Sequence, residues 1–218
     1  MKVSTDACIQ GAWTPVGPET KQVLDIGAGT GLLSLMLVQR APQAMIDAVE
    51  LDKAASTQAL ENVLTSQFSD RIRVINADAS QWQSSDGYDL IICNPPFFHN
   101  ALLGPDISRN AARHVDALDA GSLIRLSLEL LMPNGTASFL WPHDVFNSFK
   151  EQAVASGLHL HHQLNIQHRP GSPVTRIIGL FGKTQPQSSK EDTLTIKDNT
   201  EQYTPGFVAL LRPFYLHL

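Results

Sequence analysis

The sequence predicts an α/β protein with a seven-stranded, mostly parallel sheet, a C-terminal antiparallel hairpin and helices on both faces of the sheet. Short apolar segments alternate with longer amphipathic ones, which is the pattern of parallel strands covered by helices. A glycine-rich turn follows the first strand, as in sheets that bind ligands over their strand ends. The last two strands are separated only by the turn-forming residues 169–173. That leaves no room for a crossover helix and therefore predicts an antiparallel pair.

The elements follow in order along the chain. Strands are predicted at 22–26, 45–50, 72–76, 88–93, 136–141, 158–167 and 175–183, and helices at 30–40, 52–66, 119–132 and 143–156. In the second helix, Ala55, Ala59 and Val63 recur at the spacing that forms one packing face. The polar residues 184–193 predict a mobile loop. Residues 94–117 have no periodicity, and loops of this length are usually functional, so we expect a substrate-binding loop there.

Composition limits the classes of protein to consider. The 218 residues suit one domain over 1–218, with an N-terminal segment at 1–21 and an apolar C-terminal extension, 184–218, docked on it. The net charge of −5 excludes the strongly basic balance of a protein that coats nucleic acid, but not an RNA substrate. Two cysteines without paired spacing argue against a disulfide framework or a zinc site. Without an apolar run of membrane-spanning length or a signal-peptide pattern, we expect a cytoplasmic protein, and a monomer.

A glycine turn follows the first predicted strand, in the run Val-Leu-Asp-Ile-Gly-Ala-Gly-Thr-Gly at 23–31. Gly27 and Gly29 allow a ligand to approach the backbone closely. A dinucleotide fingerprint would need its third glycine at the position of Leu32. The spacing Gly-x-Gly-x-Gly, with the acid Asp25 two residues ahead, instead resembles an S-adenosylmethionine loop.

Two further acids stand at the ends of the next two predicted strands. Glu50 closes the second strand, where a carboxylate can accept both ribose hydroxyls of such a cofactor. Asp78 follows the third strand and can accept the cofactor's adenine amino group. The alternative for each acid is a helix N-cap or a solvated turn residue. Because carboxyl ends of parallel strands meet at one edge, we expect both acids and the glycine turn to line one crevice.

The tetrapeptide Asn-Pro-Pro-Phe at 94–97 follows the fourth predicted strand. The side-chain oxygen of Asn94 and the carbonyl of Pro95 are two acceptors that can hold a planar amino group and aim its lone pair at a sulfonium methyl. Phe97 offers a stacking surface for a flipped base, and Phe98 is a second such surface or a core residue. Since the leaving group is a neutral thioether, S-adenosylhomocysteine, we expect no metal.

With these motifs together, the chain resembles the class I methyltransferases, whose Rossmann-like sheet ends in an antiparallel hairpin. Within that class it is similar to the bacterial tRNA1(Val) (adenine-N6)-methyltransferases, which act on the adenine just 3′ of the anticodon. The similar segments are 1–6, 11–13, 25–33, 47–51, 112–114, 203–204 and 214–216. Family members usually carry a further segment before Met1 and commonly a tyrosine in place of Phe97. We therefore expect an N-terminally truncated form that keeps the stacking ring.

The resemblance implies a cofactor, S-adenosylmethionine, and a tRNA partner, with no role for DNA or a membrane. It implies cofactor contacts at Asp25, Gly27, Gly29, Glu50 and Asp78, with Thr5 and Asp6 near the mouth of the cofactor site, and catalytic roles for Asn94, Pro95 and Phe97. Further candidates for RNA binding are Phe98, Arg109, Arg113, His114, Arg169 and Arg176, because the basic ones bracket the expected active-site face.

The tetrapeptide alone does not select the methyl acceptor. It suits the N2 amino group of guanine in RNA as well as the N6 amino group of adenine. It also suits the side-chain amide of a protein glutamine, an alternative that the acidic charge balance favours. A catalytically inactive module that binds cofactor and RNA is a further alternative.

Overall fold

A computed structural model describes residues 4–95 and 118–217. The strands are β1 (Gln22–Ile26), β2 (Met45–Glu50), β3 (Ile72–Asn76), β4 (Tyr88–Cys93), β5 (Leu131–Pro142), β6 (His159–Gln167), β7 (Val174–Gly182) and β8 (Lys190–Thr195). The α-helices are α1 (Thr5–Trp13), α2 (Leu32–Arg40), α3 (Lys53–Leu64), α4 (Ala120–Leu130), α5 (His143–Ala155) and α6 (Pro205–Leu211). A 3-10 turn spans Ala79–Gln81. None of the helices in these two ranges is long and apolar enough to cross a membrane.

The strands form a single sheet in the order β3-β2-β1-β4-β5-β7-β6-β8. The first five strands pair in parallel, and β7 runs antiparallel to both β5 and β6. The predicted mostly parallel sheet and its antiparallel hairpin are therefore confirmed. Because β6 is again parallel to β5, the β6–β7 turn lies at the same edge as the carboxyl ends of the parallel strands.

Helices cover both faces of the sheet because the parallel strands are apolar on both sides. On β1, Val23 joins the core cluster beneath α2, while Leu24 joins the cluster on the opposite face. That opposite face is rich in aromatic side chains. Phe149 of α5 packs edge-on against Phe139 of β5 at 5.1 Å and against Phe181 of β7 at 5.5 Å, measured between ring centroids. Such geometry is favourable for aromatic pairs.

The sheet has eight strands, so the predicted count of seven is wrong. The predicted loop over 184–193 is wrong for 190–193, which belong to β8, while 184–189 lie outside any strand. Strand β8 pairs in parallel with β6 at the edge of the sheet. Only Leu194 of β8 is buried, while its first residues, 190–193, are exposed. An edge strand that faces solvent keeps its charges in water, and charged residues protect such an edge from further pairing. The composition of β8 is therefore that of a loop.

Both ends of the described chain pack against the same part of the sheet. Helix α1 lies within 1–21, where periodicity predicted no helix. Ser4 caps its N-terminus, because the Ser4 side chain accepts from the Ala7 backbone N–H at 3.2 Å. Its residue Ile9 packs in one cluster with Phe207 and Leu211 of α6, and all three are almost fully buried. Helices α1 and α6 thus close the face of the sheet beneath β5, β6 and β7.

Candidate active site

The parallel register brings the ends of three strands into one row. Ile26 and Cys93, the last residues of β1 and β4, are register partners, and Glu50 is the last residue of β2. The residues that follow them are Gly27 and Asn94, and Gly27 donates from its backbone N–H to a β2 carbonyl oxygen at 2.9 Å. Glu50, Gly27 and Asn94 therefore lie side by side along the carboxyl edge of the sheet, where such folds bind ligands.

The glycine turn needs glycine for its backbone shape. Gly27, Gly29 and Gly31 have φ angles of +69°, +58° and +80°, a region that side chains disfavour. A Cβ built on Gly27 would meet no heavy atom of the described residues within 4 Å, so no described residue covers this glycine above the strand ends. Asn62 of α3 supports the turn by donating from Nδ2 to the Thr30 carbonyl at 2.9 Å. The turn is a rigid rim beside an open crevice.

Glu50 holds the two turns that flank the crevice. Its Oε2 accepts from the Gly29 backbone N–H at 2.8 Å, and its Oε1 accepts from the Asp52 N–H at 2.8 Å. Each carboxylate oxygen has two lone pairs, so acceptor capacity remains on both oxygens. Glu50 is half-buried at the crevice. Its carboxylate can therefore accept further hydrogen bonds, for example from a pair of hydroxyl groups.

Asp25 is a buried charge behind the glycine turn. Its side chain is fully buried, and Oδ2 accepts from the Ser34 hydroxyl at 2.6 Å and from the Ser34 N–H at 3.1 Å. Oδ1 is buried and has no hydrogen-bond partner among the described residues. Burial raises the pKa of Asp25 to about 6, against the Ser34 bonds and with a smaller contribution from Glu50. From behind the turn, the Asp25 carboxylate could influence a ligand in the crevice through its charge rather than by direct contact.

Asp78 caps a 3-10 turn, and a capping role was the alternative to cofactor binding for this residue. Its Oδ1 accepts from the Ser80 N–H at 2.8 Å at the start of the 3-10 turn, and the residue is half-buried. Asn76, the register partner of Glu50, ties β3 to β2 through Nδ2, which donates to the carbonyls of Glu50 and Leu51 at 2.9 Å each. Asp78 therefore lies one strand beyond Glu50 at the same edge.

Asn94 and Pro95 directly follow β4, with Asn94 half-buried and Pro95 buried. Among residues 4–95 and 118–217, no group hydrogen-bonds the Asn94 side chain. The neighbouring Cys93 is buried, and burial, followed by the charges of Asp25 and Glu50, raises the pKa of its thiol well above the usual value. A protonated, buried thiol is not a nucleophile. The remaining candidates of this segment, Phe97, Phe98, Arg109, Arg113 and His114, lie outside the described residues.

The four remaining candidates lie around the same edge of the sheet. Thr5 is exposed in the first turn of α1, and next to it Asp6 pairs with Arg176 at 3.5 Å. Burial raises the pKa of Asp6, and the charge of Arg176 opposes that rise. Arg176 pairs in register with the last residue of β5, which brings this guanidinium to the carboxyl edge. Arg169 lies on the exposed β6–β7 turn in an ion pair with Glu201.

Sequence analysis did not identify Gln10, a polar residue of α1 that reaches the end of β4. Its Nε2 donates to the Cys93 carbonyl at 3.1 Å and to the Ser138 carbonyl at 3.2 Å. The sequence does contain a signal for the helix α1. Ser4 is a suitable N-cap followed by an acid in the first turn, and the apolar residues Ile9 and Ala12 lie on either side of Gln10. The short apolar stretch and Gly11 obscured it.

The residues that line the crevice have the chemistry to bind S-adenosylmethionine. An acid with spare acceptor capacity stands at the end of β2, no described residue covers Gly27, and the charge of Asp25 lies behind the turn. Glu50 would hold the ribose, the glycine turn would allow close approach, and Asp25 would favour the cationic end of the molecule. Within the described ranges, no group of three or more His, Cys, Asp and Glu is arranged to hold a metal ion.

Known structures resemble this fold. A predicted O-methyltransferase from Agrobacterium tumefaciens aligns with a TM-score of 0.71 at 17% identity, covering 95% of this chain and 96% of that one. A putative RNA methyltransferase from Pyrococcus horikoshii aligns with a TM-score of 0.56 at 22% identity, covering 82% and 81% of the two chains. The sequence profile of the family "Methyltransferase small domain" matches residues 13–127. Fold, strand-end motifs and profile together define a class I methyltransferase, the class that uses S-adenosylmethionine.

Two similar proteins indicate which family of methyltransferases the chain belongs to. A tRNA1(Val) (adenine(37)-N6)-methyltransferase from Klebsiella pneumoniae is 42% identical over 221 residues, covering 100% of this chain and 89% of that protein. The protein of the same name from Tolumonas auensis is 40% identical over 219 residues, covering 100% and 91%. The chain therefore belongs to the tRNA1(Val) (adenine(37)-N6)-methyltransferase family, and the predicted resemblance is confirmed.

Proposed function

We propose that this protein transfers a methyl group from S-adenosylmethionine to the exocyclic N6 of adenine 37 in tRNA1(Val). The observation that carries the proposal is the row of Glu50, Gly27 and Asn94 along the carboxyl edge of the sheet. In this row, Asn94, a proposed acceptor for the planar amino group, lies directly beside the glycine turn. Full-length relatives at about 40% identity carry this activity in their names.

In this proposal, Asn94 and Pro95 prepare the amino group for reaction. The nitrogen lone pair of an adenine amino group is delocalised into the ring, so the group is a poor nucleophile. Asn94 Oδ1 and the Pro95 carbonyl each accept one of its hydrogens and turn the lone pair out of the ring plane. The same acceptors stabilise the positive charge that develops on nitrogen, which then loses a proton to solvent. The Asn94 side chain, half-buried directly after β4 and without a hydrogen bond to any described residue, supports this role.

The cofactor supplies an electrophilic methyl group on a cationic sulfur and leaves as the neutral thioether S-adenosylhomocysteine. Glu50 accepts from the ribose hydroxyls with the lone pairs that the two backbone N–H groups leave unused. The carboxylate of Asp25 adds negative charge behind the turn. Asp78 accepts from the cofactor's adenine amino group with the capacity that its capping bond leaves over.

A product assay tests the proposal against its alternatives. The protein is incubated with labelled S-adenosylmethionine and unmodified tRNA1(Val), and the RNA is digested to nucleosides. We expect N6-methyladenosine from this tRNA and no product from a matched transcript with guanine at position 37. N2-methylguanosine would replace the proposal with the guanine alternative, and labelled protein would replace it with the glutamine alternative. Cofactor binding without any product would indicate an inactive module.

We expect Glu50→Gln to weaken cofactor binding by about tenfold or more, because an amide offers one acceptor oxygen where the carboxylate offers two charged ones. The same change replaces one of the two accepted hydrogen bonds of the flanking turns, and because the Asp52 N–H is exposed to solvent we expect a loss of stability of only about 0.5–1.5 kcal/mol. Isothermal titration with S-adenosylhomocysteine and thermal unfolding measure the two effects. Glu151→Gln, at an exposed position of α5, is the matched control. Unchanged affinity in Glu50→Gln would remove Glu50 from the cofactor site.

A further inference from the structure

We infer that Gln10 of helix α1 is a positioning residue for Asn94, and that α1 thereby controls the geometry of the methyl-accepting site. The inference deepens the proposed function and rests on it for its catalytic consequence. Gln10 does not touch the crevice itself. It acts through the peptide carbonyl of Cys93, the residue that directly precedes Asn94.

The contacts of Gln10 join two strands at the place where β4 ends. Nε2 lies 3.1 Å from the carbonyl oxygen of Cys93 and 3.2 Å from that of Ser138, in the neighbouring β5. Both partners are carbonyl oxygens, which only accept, so the donating nitrogen of the amide must face them. One side chain therefore fixes the direction of the last carbonyl of β4. That carbonyl sets the peptide plane from which the Asn94 backbone continues.

Helix α1 is a firm support for this contact. Arg40 of α2 donates from Nη1 to the carbonyls of Gly11 and Thr14, at 2.8 Å each, and so holds the end of α1. At Gly11 the two helices approach so closely that a Cβ would lie 2.8 Å from the sulfur of Met36. The residues on either side of Gln10 are buried as well. The amide thus projects from a clamped helix into a closed space.

The other end of the same amide is a buried oxygen with no hydrogen-bond partner among the described residues. Gln10 is fully buried, and its Oε1 makes no hydrogen bond to any residue in 4–95 or 118–217. An unsatisfied buried amide oxygen costs free energy, about 1–3 kcal/mol. A methionine of similar length would fill the space without that cost. Replacement by methionine would also remove the donor from the Cys93 and Ser138 carbonyls, so what distinguishes glutamine at this position is the set of hydrogen bonds made by Nε2.

A neighbouring pair of residues, Thr14 and Ser138, provides a control that distinguishes the positioning of Asn94 from simple packing of α1 on the sheet. Thr14 Oγ1 and Ser138 Oγ lie 2.7 Å apart, and both residues are fully buried. This pair belongs to the same α1–β5 contact as Gln10, because Ser138 Oγ also lies 3.4 Å from Gln10 Nε2, but no hydrogen bond joins Thr14 to Cys93 among the described residues. Thr14→Val conserves shape and removes the hydroxyl, so it perturbs the contact between α1 and the sheet while leaving the Gln10–Cys93 bond in place.

The test compares Gln10→Met with Thr14→Val in the full-length protein. For Gln10→Met we expect kcat to fall about tenfold or more, as small misplacements of reacting groups do, with the cofactor dissociation constant unchanged within about twofold. The side-chain amide signals of Asn94 in nitrogen-15 NMR spectra should move or broaden. For Thr14→Val we expect kcat and the Asn94 signals to stay near those of the unaltered protein, whatever the loss of thermal stability.

Two outcomes would overturn the inference. One is a Gln10→Met protein with unaltered kcat and unaltered Asn94 signals, and the other is equal loss of kcat in both variants in proportion to their stability. Failure of the proposed function is distinct, because the unaltered protein would then form no N6-methyladenosine. The NMR comparison still decides in that case whether Gln10 positions Asn94.

Discussion

Replacing Asn94 with alanine is expected to lower kcat by about 10²–10³-fold, the usual cost of removing one preorganised group that stabilises developing charge. Affinity for the cofactor should stay within a few-fold, because Asn94 follows β4 and the groups assigned to the cofactor lie at the carboxyl ends of β1, β2 and β3. A loss confined to kcat indicates an interaction that is made in the transition state. Single-turnover methylation of unmodified tRNA measures the first quantity, and calorimetry with S-adenosylhomocysteine measures the second.

Asn147→Ala is the matched control for that experiment. Asn147 is an exposed residue of α5, so the same truncation there should leave both kcat and cofactor affinity unchanged. Near-normal turnover of the Asn94→Ala protein would remove Asn94 from the mechanism. A parallel loss of cofactor affinity would instead indicate that the end of β4 is part of the cofactor site.

The parallel part of the fold was predictable from the sequence because burial on both faces leaves a simple pattern. Strands such as β1 and β4 are mostly apolar, with one aspartate in each, and each is followed by a residue with special backbone or side-chain chemistry. The order of Gly27, Glu50, Asp78 and Asn94 at successive strand ends then follows from topology alone. Chain connectivity and strand periodicity were therefore sufficient to assemble the candidate cofactor residues at one edge.

Two features could not be predicted because their stabilising interactions are distant in sequence. Strand β8 forms by pairing with β6, and its exposed charges have the composition of a loop. The hydrogen bonds of Gln10 to Cys93 and Ser138 span 83 and 128 residues, so no local pattern reports them. Local propensity also says little about how a carboxylate is used. Asp78 caps a turn and Glu50 holds two backbone N–H groups, roles that depend on the folded backbone.

The second large effect is expected from Asp25→Asn, as a change in how stability depends on pH. Burial raises the pKa of Asp25 from 3.8 in the unfolded chain to about 6 in the folded protein. Between these values the folded state binds more protons at Asp25, so the contribution of this residue to stability is most favourable below pH 4 and is lost as the pH rises through 6. The full cost of ionising Asp25 in the cofactor-free protein is about 3 kcal/mol. Roughly half of it, about 1.5 kcal/mol, falls between about pH 5 and pH 8.

Asparagine cannot ionise, so the variant loses this dependence whatever constant effect the new amide has on stability. The difference in unfolding free energy between variant and unaltered protein should therefore shift by about 1.5 kcal/mol in favour of the variant from about pH 5 to pH 8. Urea unfolding at several pH values measures it. A difference that stays constant with pH would mean that Asp25 has an ordinary pKa. Asp144→Asn, at an exposed position of α5, provides the matched control.

The same buried charge predicts a linked effect on the cofactor. S-adenosylmethionine carries a cationic sulfonium and an ammonium group, so its binding should favour ionised Asp25 and lower the pKa of this carboxyl. Binding must then weaken as the pH falls through about 6, because protons and cofactor compete through one charge. In Asp25→Asn the affinity should be lower at neutral pH and nearly independent of pH over this interval. Calorimetric titration of both proteins across the interval tests this, and parallel pH profiles would assign the dependence to another group.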